Sequence, residues 1–192
     1  SVGGGFGVPR LIDEGCNRVG PVGWPTLSIL GGGERQGRLL WACEAEDARG
    51  IRVTTSDDEG ESWTAGTVVP HEPDENLATK IPTMASDDTG RMVLVWVARD
   101  RGARGCWDLV AAVSDGDDGA FGAPVSMADE RSCPRESDVR ARFGAGGDYL
   151  GLVHMSDGAF AVLWSDARDG RFQLYSRRFE IWLLYTSPSP RD

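Results

Sequence analysis

Short apolar runs separated by turn residues follow one another along most of the chain. The runs 92–98 and 107–114 are the clearest, and Asp, Gly and Arg residues lie between them. Runs of this length bounded by turn residues are typical of β-strands buried on both faces. No window carries apolar residues at helical spacing without a Gly or Pro that interrupts it. The pattern therefore predicts an all-β protein with little helix.

The apolar runs also repeat at a regular distance. Phe6, Trp63 and Phe121 lie 57 and 58 residues apart, and each ends a similar polar segment. The run Pro25-Thr26-Leu27-Ser28 and the run Pro82-Thr83-Met84-Ala85 are again 57 residues apart. A fixed period of this size indicates a repeat architecture. In the second unit the predicted strands span residues 82–85, 92–98, 107–114 and 121–127.

A partial third unit follows, with predicted strands at 148–152, 159–164 and 172–177. Four-stranded units of this length, repeated around an axis, are the blades of β-propellers. The 192 residues hold about three units, whereas propellers have at least about four blades. We therefore predict a partial β-propeller of about three four-stranded antiparallel blades, and we expect the chain to be a fragment of a larger propeller.

The two ends of the chain contribute little to this fold. Residues 183–192 read Leu-Leu-Tyr-Thr-Ser-Pro-Ser-Pro-Arg-Asp and resemble a translated sequencing adaptor, with a genuine Ser/Pro linker as the alternative. We therefore divide the chain into a partial propeller at 1–181 and a non-native-looking tail at 182–192. The chain starts at Ser1 inside a glycine run, so we expect any secretory signal to lie outside it.

Composition and charge exclude two classes of partner. The chain has 20 Lys and Arg residues against 30 Asp and Glu residues, for a net charge of −10. This sign disfavours binding to the phosphate backbone of nucleic acid. No stretch approaches the roughly 20 apolar residues of a membrane-spanning helix. We expect neither nucleic-acid binding nor membrane insertion.

One polar motif has a structural explanation. Ser56, Asp58, Gly60 and Trp63 fit the pattern Ser-x-Asp-x-Gly-x-x-Trp between the third and fourth strands of the first unit. In a tight hairpin, Asp58 can accept hydrogen bonds from backbone N–H groups, Gly60 can adopt a positive φ and Trp63 can cover the turn. A looser copy of this box in the second unit comprises Ser114, Gly119 and Phe121.

The box, together with the runs 147–152 and 163–168, resembles the bacterial sialidase-like family with BNR (Asp-box) repeats over residues 1–181. The resemblance implies a six-bladed propeller that is secreted, periplasmic or at the cell surface. It also implies a glycan ligand and glycoside hydrolysis of the exo-α-sialidase type. Non-enzymatic propellers carry the box as well, so a non-catalytic module that binds glycans or proteins is the alternative.

The strand order predicts where the chemistry lies. The loops between second and third strands, and those that enter first strands, share one face of a propeller, and the boxes lie on the other. The resemblance implies arginines for a sugar carboxylate, a tyrosine nucleophile and an aspartate acid/base. On the predicted face we nominate Asp148, Tyr149 and Asp166 as catalytic and Arg99 and Arg168 as substrate-binding residues.

The match to the family is incomplete at one motif. Sialidases open a first strand with Phe/Tyr-Arg-Ile-Pro, and the nearest sequence is Thr79-Lys80-Ile81-Pro82. Lys80 offers a point charge where the family has a guanidinium fork. For this reason an arginine triad is not assigned. Trp96 and Trp164 are assigned to the core.

No cofactor is expected from the sequence. His71 and His154 lie 83 residues apart and no two cysteines are closely spaced, which excludes a typical zinc site. Calcium on the acidic loops stays an open alternative. The four cysteines allow three pairings, of which none is favoured, and buried free thiols are an equal alternative. They are Cys16, Cys43, Cys106 and Cys133.

Overall fold

The computed structural model describes residues 8–16, 24–47, 49–71, 77–100, 105–115, 119–134 and 149–186. Eleven strands and one short helix make up the regular structure of this part of the chain. The strands are β1 (Thr26–Ile29), β2 (Leu39–Glu44), β3 (Gly50–Ser56), β4 (Thr67–Pro70), β5 (Leu77–Ser86), β6 (Met92–Asp100), β7 (Trp107–Ser114), β8 (Val125–Ser126), β9 (Gly151–His154), β10 (Phe160–Asp166) and β11 (Gln173–Phe179), and the helix is α1 (Ile181–Thr186).

The strands form three antiparallel sheets, each built from consecutive strands. Blade one has the order β1-β2-β3-β4, blade two has β5-β6-β7-β8, and blade three has β9-β10-β11. The prediction of an all-β partial propeller is confirmed. Blade three contains three strands in the described part of the chain, and not four. The fourth strand of blade two, predicted at 121–127, is only the two residues of β8. The helix α1 extends into the segment assigned to the tail.

The three sheets pack face to face and enclose two apolar cores. Leu40 and Ala42 of blade one pack with Leu94 and Trp96 of blade two, and the opposite face of blade two packs on Val162 of blade three. Successive side chains of a strand point to opposite faces. Blade two is covered on both faces, which explains why β6 is an almost continuous apolar run.

Three tryptophans at matching positions show that the blades repeat the same packing. Trp96 in β6 is fully buried toward blade one, and Trp164 in β10 is buried toward blade two. Trp41 in β2 alternates with Leu40 and Ala42, so it points away from blade two, and it is only half-buried. Each tryptophan therefore faces the side of its blade that precedes it in the chain.

A glycine triplet brings blade one against blade two. Residues 31–33 lie between β1 and β2, and they pack on the turn between β5 and β6. A Cβ built on Gly32 would lie 1.8 Å from the backbone oxygen of Asp88. Ser86 Oγ accepts a hydrogen bond from the N–H of Gly31 at 2.9 Å and donates to the carbonyl of Ile29 at 3.0 Å. The contact leaves no space for a side chain at residue 32.

The first box closes its turn with side-chain hydrogen bonds. Asp58 Oδ1 accepts from the N–H of Ser62 at 2.8 Å and from Ser56 Oγ at 2.8 Å, and its Oδ2 accepts from Ser62 Oγ at 2.5 Å. Gly60 has a φ of 90°, and its N–H donates to Ser56 Oγ at 2.9 Å. Trp63 lies half-buried beside the turn. These hydrogen bonds all lie within the turn, in agreement with a structural role for the box.

The looser copy occupies the same place in blade two. Ser114 ends β7 and is buried, as Ser56 ends β3 and is buried. Gly119 has a φ of 74°, and Phe121 packs against the core between blades one and two. The two boxes therefore mark equivalent ends of their sheets.

The box makes a prediction about acid titration. The hydrogen bonds from Ser62, with a smaller contribution from Ser56, lower the pKa of Asp58 from 3.8 to about 2. The stabilisation by this carboxylate is present above pH 3.8 and is lost as the pH falls through about 2. We expect Ser62→Ala to raise the pKa of Asp58 toward 3.8, as measured by carboxyl NMR. The pKa of Asp57, lowered chiefly by Arg38, is the internal control, and an unchanged Asp58 would contradict the assignment.

Two disulfides settle the pairing that the sequence left open. Cys16 pairs with Cys43, and Cys106 pairs with Cys133, each across a separation of 27 residues. The first ties the segment before blade one to the end of β2. The second ties the start of β7 to the segment after β8. In the part of the chain that the structure describes, no helix is long and apolar enough to cross a membrane.

Candidate functional site

The ends of the three second strands carry acidic residues. Glu44 ends β2, Asp100 ends β6 and Asp166 ends β10. Glu44 pairs with Ile51 at one end of the sheet, and Leu39 pairs with Ser56 of the box at the other. We call the end of the blades that contains Glu44, Asp100 and Asp166 the candidate face. Within blade one, the box lies at the opposite end.

Asp166 and Arg168 form a compact ion pair on blade three. Asp166 Oδ2 accepts from Arg168 Nη2 at 2.7 Å, from Arg168 Nε at 3.0 Å and from Trp164 Nε1 at 2.9 Å. Its Oδ1 accepts from the N–H of Arg168 at 2.8 Å. Asp166 is only 1% exposed. Burial opposes ionisation, but the hydrogen bonds from Arg168 and Trp164 outweigh it and lower the pKa of Asp166.

Arg168 is held from three directions. Besides Asp166, its Nη1 donates to Asp129 Oδ1 at 3.2 Å. Its guanidinium carbon lies 4.7 Å above the centre of the Tyr175 ring, and Tyr175 donates to Asp169 at 2.6 Å. The hydrogen bond to Asp166 raises the pKa of Arg168 further above its usual value. Two carboxylates and an aromatic ring therefore already occupy this guanidinium.

A second ion pair joins blades one and two. Lys80 Nζ lies 2.6 Å from Glu44 Oε2, and the Glu44 side chain is almost fully buried. Lys80 precedes Ile81, which has a φ of 53°, and the register of β5 shifts between Lys80 and Thr83. A β-branched residue in the left-handed region is rare and strained. The observed strand begins at Leu77, before the predicted start at Pro82, and no sequence pattern indicates the bulge.

Arg99 lies on this face without a carboxylate partner among the described residues. It lies between Ala78 of β5 and Trp107 of β7, and its side chain is partly buried. In the described part of the chain, no hydrogen-bond partner reaches its buried Nε atom, and no carboxylate pairs with it. A Cβ on Gly105 would lie 2.5 Å from Arg99 Nη2. Among the described residues, Arg99 therefore differs from Arg168 in having no carboxylate that neutralises its charge.

Of the remaining nominated residues, Tyr149 lies near the same edge. Tyr149 is 88% exposed and precedes β9 by two residues. Gly151 pairs with Leu163 of β10, so Tyr149 enters blade three at the end that carries Asp166. Asp148 lies outside the described residues.

Asp108 is a carboxyl group on this face that the sequence did not single out. It is the second residue of β7 and pairs with Ala98. Burial raises the pKa of Asp108, although Ser126 Oγ donates to it at 2.9 Å. No group of three or more metal-binding side chains occurs among the described residues.

Comparison with known proteins finds similar structures but no matching sequence. Neither a protein-family model nor a curated protein sequence matches the chain. Among solved structures, an α-L-arabinanase from Penicillium chrysogenum in complex with arabinobiose superimposes with a TM-score of 0.50 at 18% identity, over 80% of this chain and 45% of that one.

Two further structures are similar at lower scores. An exo-1,5-α-L-arabinanase from a bovine ruminal metagenomic library has a TM-score of 0.49 and 14% identity, over 81% of this chain and 52% of its own. The intramolecular trans-sialidase of Ruminococcus gnavus, in complex with oseltamivir carboxylate, has a TM-score of 0.42 and 16% identity, over 84% and 44%. The chain thus spans about half the length of the structures it matches. At these identities the likeness with the Penicillium structure shows that the chain has a partial propeller fold.

Proposed function

We propose that the chain is part of a glycan-directed propeller whose candidate face binds an anionic sugar, and that the complete protein is a glycoside hydrolase of the exo-α-sialidase type. The observation that carries this proposal is the guanidinium of Arg99, which has no partner in the described structure and lies on the face of the ion pairs. An unpaired, partly buried cation favours an anionic ligand. The arabinanase fold and the resemblance to sialidases support a glycan as that ligand.

The two nominated arginines take different roles in this proposal. Arg168 is already neutralised by Asp166 and Asp129, so it shapes the face and does not grip the substrate. Arg99 donates hydrogen bonds from its guanidinium N–H groups to the sugar carboxylate. Lys80 is already paired with the buried Glu44, so it shapes the face in the same way as Arg168.

Tyr149 and Asp148 are the proposed reactive groups. A phenol is the nucleophile of sialidase-type hydrolysis, in which an anionic substrate repels a carboxylate nucleophile. Tyr149 is accessible to a large ligand, as this role requires. Asp148 is its neighbour in sequence and remains the proposed acid/base. Asp166 is buried with a lowered pKa, so we propose that it positions Arg168 and does not transfer protons.

A non-catalytic glycan-binding propeller is the second candidate. It is favoured by the sequence at residues 79–82, where a lysine replaces the arginine of the sialidase motif. A binding module needs Arg99 and the charged face but not Tyr149. Substitution of Tyr149 therefore distinguishes the two candidate functions.

Further blades form part of the proposal. Blade one exposes Leu27 and Ile29 on the side of Trp41, and blade three exposes Leu163 and Leu174 on its outer face. By the repeat of the three tryptophans, these faces correspond to the buried faces of blade two. We propose that additional four-stranded blades cover them in the complete protein. A secreted or cell-surface location fits the two disulfides.

The test is hydrolysis of a fluorogenic α-sialoside by the longest natural protein that contains this sequence, with a fluorogenic α-L-arabinofuranoside in parallel. We expect turnover of the sialoside and little turnover of the neutral sugar. Tyr149→Phe should abolish turnover and leave binding intact if the protein is an enzyme. Sialoside binding without hydrolysis would support the second candidate, and preference for the arabinoside would refute an anionic ligand.

Arg99 allows a quantitative prediction. We expect Arg99→Gln to weaken binding of an anionic glycan by about 10- to 100-fold, the range for loss of a hydrogen bond to a charged group. Titration calorimetry with the sugar acid measures this change. Arg35→Gln is the matched control, because Arg35 pairs with Asp57 next to the first box, away from the candidate face. Equal effects of the two variants would contradict the assignment of Arg99.

A further inference from the structure

Residues 129–133 run from blade two to blade three, and nearly every one of them is anchored. Asp129 accepts from Arg168 at 3.2 Å, and Arg131 pairs with Asp100 at 2.7 Å. Cys133 is joined to Cys106 by the second disulfide. We call this segment the strap. It connects the ends of β6 and β10 across the gap between the two sheets.

Ser132 is the central fixing point of the strap. Its backbone exchanges two hydrogen bonds of 2.9 Å with Trp107 of β7. Its Oγ accepts from the N–H of Ala167 at 2.7 Å and is also hydrogen-bonded to Asp166. Ser132 is 3% exposed and Asp166 is 1% exposed. A buried serine of the strap, paired with Trp107 of blade two, thus holds the loop that carries Arg168 on blade three.

The disulfide fixes the strap at its other end. Cys106 immediately precedes Trp107, so the covalent bond lies next to the backbone pair between Trp107 and Ser132. The carbonyl of Cys106 also accepts from the N–H of Asp100 at 2.8 Å. Covalent and hydrogen-bonded anchors therefore act on adjacent residues, and they limit the positions that Ser132 can adopt.

We propose that Ser132 is a positioning residue, and that the strap, fixed by the Cys106–Cys133 disulfide, sets the position of Arg168 on the candidate face. Arg168 takes its orientation from Asp166 and Asp129. Ser132 fixes Asp166 and Ala167, and the strap supplies Asp129. The relevance of this positioning for a ligand rests on the proposed function, but the positioning itself is measurable without a ligand.

The experiment uses amide hydrogen exchange and the NMR signal of the Arg168 Nε–H group. Ser132→Ala should speed exchange at the Ala167 amide by about tenfold, the effect of losing one hydrogen bond, and should broaden or shift the Arg168 Nε–H signal. Ser126→Ala is the matched control, because Ser126 lies near the strap but donates to Asp108. This control should leave both signals unchanged.

The two disulfides provide a second matched pair. Cys106→Ser/Cys133→Ser should speed exchange at Ala167 and Arg168, whereas Cys16→Ser/Cys43→Ser removes a bridge of the same 27-residue separation and should leave them unchanged. Equal effects of both pairs, or wild-type exchange at Ala167 in Ser132→Ala, would overturn the proposal. If the first double variant fails to fold, Ser132→Ala decides alone. Glycoside hydrolysis is a separate readout, so its absence does not affect this result.

Discussion

Replacing Asp166 with asparagine is expected to lower the free energy of unfolding by about 3 kcal/mol, because removal of this buried carboxylate leaves donors of Arg168 and Trp164 without their acceptor. The carboxylate accepts four hydrogen bonds from Trp164 and Arg168 and is 1% exposed. An amide has one oxygen and turns two N–H groups toward donors that need acceptors. The burial of Asp166 therefore makes the substitution costly for the fold.

Denaturant unfolding of the wild type and of Asp166→Asn measures the effect. Asp157→Asn is the control, since Asp157 pairs with Arg178 and both side chains are about half exposed, and exposed pairs contribute little. The lowered pKa of Asp166 means that its stabilisation is present above the ordinary pKa of an aspartate and is lost as the pH falls through the lower folded pKa. The difference between wild type and variant should therefore shrink in acid. A constant difference would contradict the ion-pair explanation.

The strand pattern was readable because the apolar residues of a doubly covered sheet are nearly continuous. The predicted strand 107–114 coincides with β7, and the predicted strand 92–98 differs from β6 only by the charged residues Arg99 and Asp100. These two residues extend the backbone ladder past the apolar core. The hydrophobic pattern reflects the burial of side chains, so it ends where the core ends. The backbone hydrogen bonds of the strand continue beyond that point.

The contacts of the charged loops could not be predicted from the sequence in the same way. Arg99 and Arg168 look alike in sequence, since each follows the second strand of its unit next to an aspartate. Tertiary contacts separate them: Arg168 meets Asp129 from the strap, and Arg99 meets no carboxylate in the described chain. The disulfide pairing was open for the same reason, because Cys106 and Cys133 approach each other only once the strap lies along β7.

The ion pair between Lys80 and Glu44 shows a further limit of sequence reasoning. Motif comparison singled out Lys80 only as a departure from the arginine of the sialidase motif. It did not identify Glu44 as the partner, because the two residues belong to different blades. Nor did it predict the positive φ of Ile81, since a β-branched residue gives no local signal for that conformation.

The glycine triplet gives the second large expected effect. Gly32→Ala should lower the free energy of unfolding by about 3 kcal/mol, at the upper end of the range for overpacking. The new Cβ would lie 1.8 Å from the Asp88 oxygen and 2.4 Å from the Asp88 carbonyl carbon. These are backbone atoms of blade two, which cannot rotate away as a side chain can. The two blades must therefore separate, and separation weakens the apolar core between them.

Gly37 provides the control for this variant because it lies in the same hairpin. Gly37 has a φ of 91°, and no atom lies within 4 Å of a Cβ built on it. Gly32 is the opposite case, because its built Cβ is crowded but its φ is not positive. Gly37→Ala should cost only the strain of the left-handed conformation, about 1 kcal/mol. Chemical denaturation of both variants distinguishes a clash between blades from local backbone strain. Equal losses of stability at the two positions would mean that the backbone conformation of the hairpin, and not its contact with Asp88, requires glycine at residue 32.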